Sequence, residues 1–441
     1  MNYDLVINNG QVIVSKKGQL FSQNLHIGVT NGKIASLSSS PLSGQLTIDA
    51  RHLHVLPGVI DSQVHFREPG LTHKEDLETG TRAAALGGVT SIFEMPNTKP
   101  PTTTREALED KIKRAEGRAW VNFAFFVGAA QDNISSLREL EKSPGCSGVK
   151  VFMGSSTGSL LVEDDENLRQ ILRSGQRRVI VHSEDEYRLR ERKHIADSAK
   201  SPLAHPEWRD AESAVRSTER LLRLARETHR PVHVLHVTTK EEIAILKEYK
   251  DIATVEVTPQ HLTLFAPDCY ETLGTLAQMN PPIRSKDHME GLWKGLLDGT
   301  VDIIGSDHAP HTIEEKTKEY PQSPSGMPGV QTLVPIMLNH IHEGRLSLTK
   351  FVELVCENPR RVFGCTTKGQ IEVGLDADFT LVDLKKQRRI ENSWIVSRCG
   401  WTPFDGKHVT GWPTHTIVGG HLVMQDDHII GTPQGQKVLF E

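Results

Sequence analysis

Eight short apolar runs alternate with segments of helical periodicity between about residue 58 and residue 363. The runs are LPGVI, VTSIFEM, VNFAFFV, GVKVFM, RVIVH, PVHVLH, IATVEVT and VDIIGSD. The segments between them, such as AESAVRSTERLLRLARETH, repeat apolar residues every three to four positions and stop near a glycine or a polar break. Strands that alternate with helices form parallel βα units, and eight such units over roughly 300 residues match a (β/α)8 barrel with insertions. The alternation therefore predicts an α/β fold built on a TIM-like (β/α)8 barrel over residues 58–363.

Both ends of the chain show β patterns instead. Residues 1–57 contain alternating runs such as DLVINNGQVIV and a hairpin signal at Asn31-Gly32. Strand-like runs return after about residue 363, in KGQIEVGLDADFTLVDL and HTIVGGHLVM. We therefore expect residues 1–57 and 364–441 to pair into one small β domain beside the barrel.

Composition excludes several classes of protein. Lys+Arg number 51 against 56 Asp+Glu, and no basic tract of the kind that follows phosphates occurs, so nucleic acid is not an expected partner. The five cysteines form no CxxC pair, which argues against a disulfide framework and fits reduced thiols in the cytoplasm. The most apolar window, WVNFAFFVGAA, is far shorter than the ~20 residues of a membrane helix, and the alternating N-terminus is typical of a strand of the mature protein. We expect a cytoplasmic protein that acts on a small molecule and not at a membrane.

Polar residues cluster at the ends of the predicted barrel strands. The active site of such a barrel lies at the carboxyl ends of its strands. The polar residues found there are His65, Arg67, Asn97, Lys150 (within the fourth run), His182, His236 and Asp307. Each alone has an ordinary explanation: a loop histidine, a lysine whose amine reaches solvent, or an aspartate that caps a helix. Independent accidents at several strand ends of one barrel are improbable, so we interpret these residues as one site.

Lys150 has apolar residues on both sides, in GVKVFM. An unpaired buried ammonium costs several kcal/mol, so its environment must relieve the charge. Burial lowers the pKa of a lysine, and a neutral amine can capture carbon dioxide as a carbamate, which is able to bridge two cations. Zn²⁺ accepts imidazole nitrogen and carboxylate oxygen together. These residues therefore predict a zinc centre that combines histidines, a carbamylated Lys150 and Asp307.

The ordered set of motifs resembles the cyclic amidohydrolase superfamily and, within it, the dihydroorotase family. The resemblance covers nearly the whole chain, in HFREPG, MPNT, GVKVFMGSSTG, VHSEDE, VHVLHVTT, QMNPPIRS, GSDHAPH, NPRRVFG, KGQIEVGLDADFTLVD and CGWTPFDG. It implies His65, Lys150, His182, His236 and Asp307 as metal ligands, with Asp307 also the catalytic acid and base. It implies Arg67, Asn97, Asn280 and His311 as substrate-binding residues.

The resemblance also implies a reaction, the reversible zinc-dependent cyclisation of N-carbamoyl-L-aspartate to L-dihydroorotate in pyrimidine biosynthesis, and a homodimer. Allantoinases and hydantoinases share the barrel, the lysine and the histidine pair, but their substrates lack a ring carboxylate. A receptor of Arg67, Asn97 and His311 favours dihydroorotate. The alternative from another class is a non-catalytic dihydroorotase-like subunit that scaffolds aspartate transcarbamoylase.

Gln63 departs from the pattern of the resembled family. In DSQVH it occupies the position that is normally the first histidine of a D-x-H-x-H pair. An amide oxygen is a neutral and poorer ligand for Zn²⁺ than imidazole. We therefore expect one firmly bound zinc and a second, weaker site. Alternatively, Gln63 hydrogen-bonds a neighbour and a shifted ligand completes a normal pair of metals.

Overall fold

The protein is represented by a computed structural model that describes residues 3–154 and 160–441. The SSTG part of GVKVFMGSSTG, residues 155–158, lies outside the described residues. The strands of the described part are β1 (Tyr3–Lys16), β2 (Gln19–Thr30), β3 (Lys33–Ser38), β4 (Gly44–Asp49), β5 (His54–Pro57), β6 (Val59–Val64), β7 (Val89–Glu94), β8 (Asn122–Gly128), β9 (Cys146–Phe152), β10 (Val179–His182), β11 (Val232–Val234), β12 (Ala253–Val257), β13 (Ile303–Ile304), β14 (Phe379–Arg389), β15 (His408–Val418), β16 (His421–Gln425) and β17 (His428–Ile429).

Helices fill most of the connections between the barrel strands. The α-helices of the described part are α1 (Leu77–Leu86), α2 (Arg105–Ala115), α3 (Leu137–Leu140), α4 (Asp165–Arg173), α5 (Glu186–Glu191), α6 (Lys193–Ser198), α7 (His205–Trp208), α8 (Ala211–Thr228), α9 (Lys240–Lys247), α10 (Pro259–Thr263), α11 (Asp268–Leu273), α12 (Lys286–Leu297), α13 (Ile313–Lys316), α14 (Leu333–His342), α15 (Leu348–Val352) and α16 (Asn358–Phe363). Short 3₁₀ turns lie at Ile134–Ser136, Pro202–Ala204, Gly274–Ala277 and Asn392–Trp394, and a π turn at Glu353–Glu357. Helix α8 shows how the sequence defines such an element: Asp210 caps its start by accepting from Ser213 N at 3.1 Å, and its inner face buries Leu221, Leu222 and Ala225.

Strands β6 to β13 form one parallel sheet in chain order. The two ends of this sheet meet, because Val64 pairs with His308 in a parallel bridge and His65 N donates to His308 O at 2.7 Å. Strands β7 and β8 are buried at every residue, as expected where helices cover one face of a parallel sheet and the barrel interior the other. All eight apolar runs supply a barrel strand, and the predicted fold class is confirmed.

The first apolar run, LPGVI, is divided between two sheets at Gly58. Strand β5 ends at Pro57 and pairs with β14, whereas β6 begins at Val59 and belongs to the barrel. A Cβ atom on Gly58 would lie 2.2 Å from Thr90 Oγ1, so only glycine permits this approach. We propose that the boundary between the small β domain and the barrel falls here, between residues 57 and 58.

The second sheet draws on both ends of the chain, as expected from the sequence. Its strand order is β17-β16-β15-β14-β5-β1-β2-β3, with β4 paired to β1. It has its own apolar cluster, which includes Leu5, Ile27 and Phe379. The final residues leave this sheet and lie against the barrel, where Val438 N donates to Phe123 O at 3.0 Å. The described part of the chain contains no helix long and apolar enough to span a membrane.

Candidate metal centre and active site

His182 and His236 form a close pair of ligand-type side chains at the carboxyl ends of the barrel strands. His182 is the last residue of β10, and His236 follows β11 by two residues. His182 Nδ1 lies 3.0 Å from His236 Nε2, and both rings are buried. Burial lowers the pKa of both imidazoles, so both are neutral and able to act as ligands. Two neutral imidazoles that face each other nitrogen to nitrogen are arranged as two ligands of one metal ion.

Glu184 contacts His182 on the ring nitrogen that faces away from His236 and so fixes the orientation of the ring. Its Oε2 lies 2.8 Å from His182 Nε2, and its other carboxylate oxygen accepts from Arg209 Nε at 3.1 Å. Although burial opposes ionisation, Arg209 and His182 lower the pKa of Glu184 well below its usual range. A carboxylate that takes the N–H of one imidazole nitrogen leaves the other nitrogen free to bind a metal.

His65 and Asp307 form a second pair, at the place where the first and last strands of the barrel meet. His65 Nε2 lies 3.2 Å from Asp307 Oδ1, and His65 Nδ1 lies 2.7 Å from Asn97 Oδ1. Since an amide oxygen only accepts, Nδ1 carries the proton and Nε2 faces the carboxylate with its lone pair when the ring is neutral. Burial lowers the pKa of His65, against the opposing effect of Asp307. Two facing acceptors require a cation or a proton between them.

Lys150 lies on β9 and is 1% exposed. Its amine stands 4.5 Å from the centre of the Phe152 ring, and no described residue forms a hydrogen bond or ion pair with it. Burial lowers the pKa of Lys150 to about 7, while Asp307 and Glu256 act in the opposite direction. In turn the charge of Lys150 lowers the pKa of both His182 and His236. Lys150 thus links the two pairs electrostatically.

The donor set fits a metal centre of the predicted kind. Among the described residues no three His, Cys, Asp or Glu side chains meet in one closed ligand group. The ligand-type atoms meet instead as the two pairs, and a lysine supplies a ligand only after conversion to a carbamate. The unpartnered buried nitrogen His236 Nδ1 and the amine of Lys150 are polar groups for which the described protein offers no partner. Imidazole nitrogens with carboxylate and carbamate oxygens are the ligands Zn²⁺ prefers.

Three residues of the site also have a strained backbone conformation. Arg67, His236 and Asp307 adopt positive φ angles of 63°, 36° and 46°, in the left-handed region that non-glycine residues seldom occupy. Such conformations persist only where the surrounding structure enforces them, and they cluster at functional sites. All three residues follow a barrel strand, so the strain points their side chains to the strand ends.

Gln63 contacts Asp307 directly. Its Nε2 donates to Asp307 Oδ1 at 3.1 Å, and its Oε1 is buried without a hydrogen-bond partner among the described residues. His65 and Gln63 therefore approach the same carboxylate oxygen. In this orientation the amide presents a donor to Asp307, and only a half-turn of the amide would bring Oε1 to that position as a ligand.

Arg67 and His311 form a group of donors beside the metal ligands. Arg67 Nη2 lies 3.4 Å from His311 Nε2, and Arg67 Nε donates to Pro310 O at 3.2 Å. His311 Nε2 also lies 3.1 Å from Ser325 O, so this nitrogen carries a proton. Burial lowers the pKa of Arg67 to about 10, against the opposing charge of Asp307. The Arg67 guanidinium, beside a His311 N–H that donates to the Ser325 carbonyl in this structure, is a candidate receptor for an anion.

The other two predicted substrate-binding residues hydrogen-bond histidines of the site. Asn97 bonds His65, as described above, and Asn280 Oδ1 lies 3.0 Å from His205 Nε2. His205 Nε2 in turn lies 3.4 Å from Ser325 Oγ, and the Ser325 carbonyl lies 3.1 Å from His311 Nε2, so hydrogen bonds connect Asn280 to His311.

The long polar connection at residues 314–329 packs against the barrel. Lys316 is fully buried and donates to Gln278 O and Pro324 O, each at 2.9 Å. The CGWTPFDG stretch also lies beside the site, because Trp401 Nε1 donates to His311 O at 2.8 Å. Sequence reasoning passed over Glu184, His205 and Lys74; of these only Glu184 had a local signal, two residues after His182.

Comparisons with known proteins agree with this architecture. Residues 54–423 match the amidohydrolase family. A dihydroorotase from Methanothermobacter thermautotrophicus is 36% identical over 415 residues, 92% of each chain, and one from Bacillus licheniformis is 33% identical over 437 residues, 96% of this chain and 99% of the relative. The chain therefore belongs to the amidohydrolase family, among the hydrolases that act on cyclic amides.

Solved structures show the same fold. The L-hydantoinase (dihydropyrimidinase) of Arthrobacter aurescens superimposes with a TM-score of 0.93 at 31% identity and covers 99% of both chains. The dihydropyrimidinase of Brevibacillus agri gives a TM-score of 0.88 at 26% identity, over 98% of this chain and 97% of that chain. The relatives thus fall in two groups, dihydroorotases and hydantoinases, and the residues of the site must decide between the two substrates.

Proposed function

We propose that the protein is a zinc-dependent dihydroorotase, which interconverts N-carbamoyl-L-aspartate and L-dihydroorotate in pyrimidine biosynthesis. The observation that carries this proposal is the pair of donors Arg67 Nη2 and His311 Nε2, 3.4 Å apart beside the candidate metal centre. Dihydroorotate carries a ring carboxylate that such a receptor would hold, whereas hydantoins lack one. The dihydroorotase relatives support the same choice.

Zinc would be held by His65, His182, His236, Asp307 and a carbamate on Lys150. The carbamate would form as the neutral amine of Lys150 attacks carbon dioxide and releases one proton, which converts a buried amine without a partner into an anionic ligand. When bound, the metal supplies Lewis acidity, which activates water at neutral pH and polarises the amide carbonyl.

Asp307 would move the proton of the reaction. In hydrolysis it accepts the proton that the attacking water loses, and it returns that proton to the ring nitrogen as the C–N bond breaks. In cyclisation the same carboxylate takes the proton from the carbamoyl nitrogen. Arg67 and His311 would hold the substrate carboxylate, and we assign Asn97 and Asn280 to the same substrate pocket, in addition to the contacts of these asparagines with His65 and His205.

Gln63 supports a centre with one firm and one weak zinc position. The position of His182, His236 and the Lys150 carbamate retains all of its proposed protein ligands. The other position would rely on His65, Asp307 and an amide that here donates to Asp307. A neutral amide oxygen competes poorly with imidazole for Zn²⁺.

Two other functions remain as competing hypotheses. The hydantoinase structures favour a neutral cyclic amide as substrate. A non-catalytic subunit that scaffolds aspartate transcarbamoylase is the alternative from another class, and the presence of all five proposed metal ligands argues against it.

We further propose that the protein is a homodimer in the cytoplasm. The five free, buried cysteines are consistent with a reducing compartment. Light scattering of the purified protein, alone and mixed with aspartate transcarbamoylase, tests both assemblies.

Dihydroorotate hydrolysis and zinc content, measured on the same preparation, test the proposal. We expect turnover of dihydroorotate, no comparable turnover of hydantoin or allantoin, and loss of activity after chelation that added zinc restores. Preference for a neutral ring would identify a hydantoinase instead. A protein that neither turns over dihydroorotate nor holds zinc would be identified as a scaffold.

A further inference from the structure

We propose that Lys74 is a positioning residue that fixes the ring tautomer of His311 and so keeps the proton on Nε2, the nitrogen beside Arg67 in the carboxylate receptor. This inference rests on the proposed function, because it assigns a role within the same receptor. Lys74 lies in the turn before α1, far in sequence from His311.

The contacts of Lys74 define one tautomer. Its Nζ lies 3.0 Å from His311 Nδ1 and 3.1 Å from Glu315 Oε1. An ammonium group has donors only, so Nδ1 must be the acceptor and carries no proton. On the other side of the ring, Nε2 faces the carbonyl of Ser325 at 3.1 Å, which only accepts. Both contacts require the neutral ring with its proton on Nε2.

Electrostatics keep this ring neutral. Burial, together with the charges of Arg67, Lys74 and Lys316, holds the pKa of His311 well below its ordinary range. Glu315 is the carboxylate that faces the ring, with Oε2 3.5 Å from Nδ1, and it is paired with Lys74 through its other oxygen. His311 is therefore a neutral donor at Nε2, and Arg67 supplies the charge of the receptor.

Glu315 also shows what Lys74 prevents. Without the ammonium, Nδ1 could carry the proton and donate to Glu315 Oε2. Nε2 would then be an acceptor, 3.4 Å from the Arg67 Nη2 donor. Arg67 Nη2 would then donate to His311, and a substrate carboxylate beside Arg67 would meet the lone pair of Nε2 in place of the N–H that donates to Ser325 O in this structure. Lys74 would thus keep the receptor open to an anion.

The experiment compares Lys74→Met with Lys74→Arg, which keeps a charged donor. Lys250→Met is the matched control, because Lys250 is also a partly buried lysine in an ion pair, with Asp302, but has no contact with the site. For Lys74→Met we expect KM for dihydroorotate to rise roughly tenfold, the scale of one hydrogen bond to a charged group, with kcat changed less than about threefold. Lys74→Arg and Lys250→Met should retain the wild-type KM.

The tautomer is measured directly by ¹⁵N NMR of histidine-labelled protein, with the His311 signals assigned by their loss in His311→Gln. We expect the proton on Nε2 in the wild type and on Nδ1 in Lys74→Met. An unchanged tautomer, or an unchanged KM in Lys74→Met, would overturn the inference. Lys74→Gln replaces Lys74→Met if melting curves show that the methionine variant does not fold. If the wild type does not turn over dihydroorotate, the proposed function fails, and the tautomer comparison alone decides the role of Lys74.

Discussion

Gln63 donates its amide N–H to Asp307 at 3.1 Å, on the carboxylate oxygen that His65 also approaches. A histidine at this position would offer a lone pair to a metal, whereas this amide offers a hydrogen to the carboxylate. The contact supplies Asp307 with a hydrogen-bond donor, whereas a second metal ion would need a ligand atom at this position.

The first prediction concerns the metal content set by Gln63. Desalted wild-type protein should retain close to one zinc per chain, and Gln63→His should raise this toward two, since imidazole is the better ligand. Elemental analysis with parallel protein quantification measures the ratio. Two tightly held zinc ions in the wild type would contradict the prediction.

The second prediction concerns Lys150. Lys150→Ala should lose nearly all activity and most of the metal, because the proposed carbamate is removed. Small carboxylic acids should restore part of the activity by occupying the space of the carbamate. Mass spectrometry under native conditions should show the added mass of carbon dioxide on the wild type only. An unmodified lysine in fully active protein would rule out the carbamate.

Asp307→Asn tests the proton carrier. The variant should keep its fold by circular dichroism and most of its zinc, but turnover should fall about 10²-fold or more, the scale of general acid-base catalysis. Turnover within a few-fold of the wild type would assign the proton transfer to another group.

Arg67→Lys tests the carboxylate receptor. Lysine keeps the charge and loses the planar pair of donors, so KM for dihydroorotate should rise by at least about tenfold. Arg178→Lys is the control, since Arg178 is a partly buried arginine that donates to Val232 O at the opposite ends of the strands. An equal effect of both substitutions would mark Arg67 as a structural residue.

Glu184→Gln tests the support behind His182. Loss of the carboxylate should weaken zinc retention by about 10- to 100-fold while the fold persists. Glu141→Gln is the matched control, because Glu141 is a buried glutamate paired with Arg230 away from the site. Competition with a chelator of known affinity gives the zinc affinity of each variant, and equal affinities would show that Glu184 has no role in holding the metal.

The barrel could be predicted because each strand is an apolar run with its own local boundaries. The division at Gly58 could not, since LPGVI is continuous in sequence and only the packing of Thr90 against Gly58 separates the two sheets. The pattern also gave no sign that the last residues return to the barrel beside Phe123.

The sequence indicates which residues lie at the ends of the barrel strands, but it does not indicate the directions in which their side chains point. The rule that the active site lies at the carboxyl ends of the barrel strands selected His65, His182, His236 and Asp307, which lie as two close pairs in the structure. It could not show that Asn97 turns toward His65. Lys74 carries no local signal at all, because its importance depends on His311, which lies 237 residues away in the chain.

The contact of His65 N with His308 O joins the first and last barrel strands at the site itself. The candidate active site therefore lies where the first and last barrel strands meet. A growing chain cannot assemble it until residues near 308 have been made, however early the first strands fold. In the finished protein, any opening between these two strands would separate His65 from Asp307, so activity should be lost before most of the secondary structure as the protein unfolds.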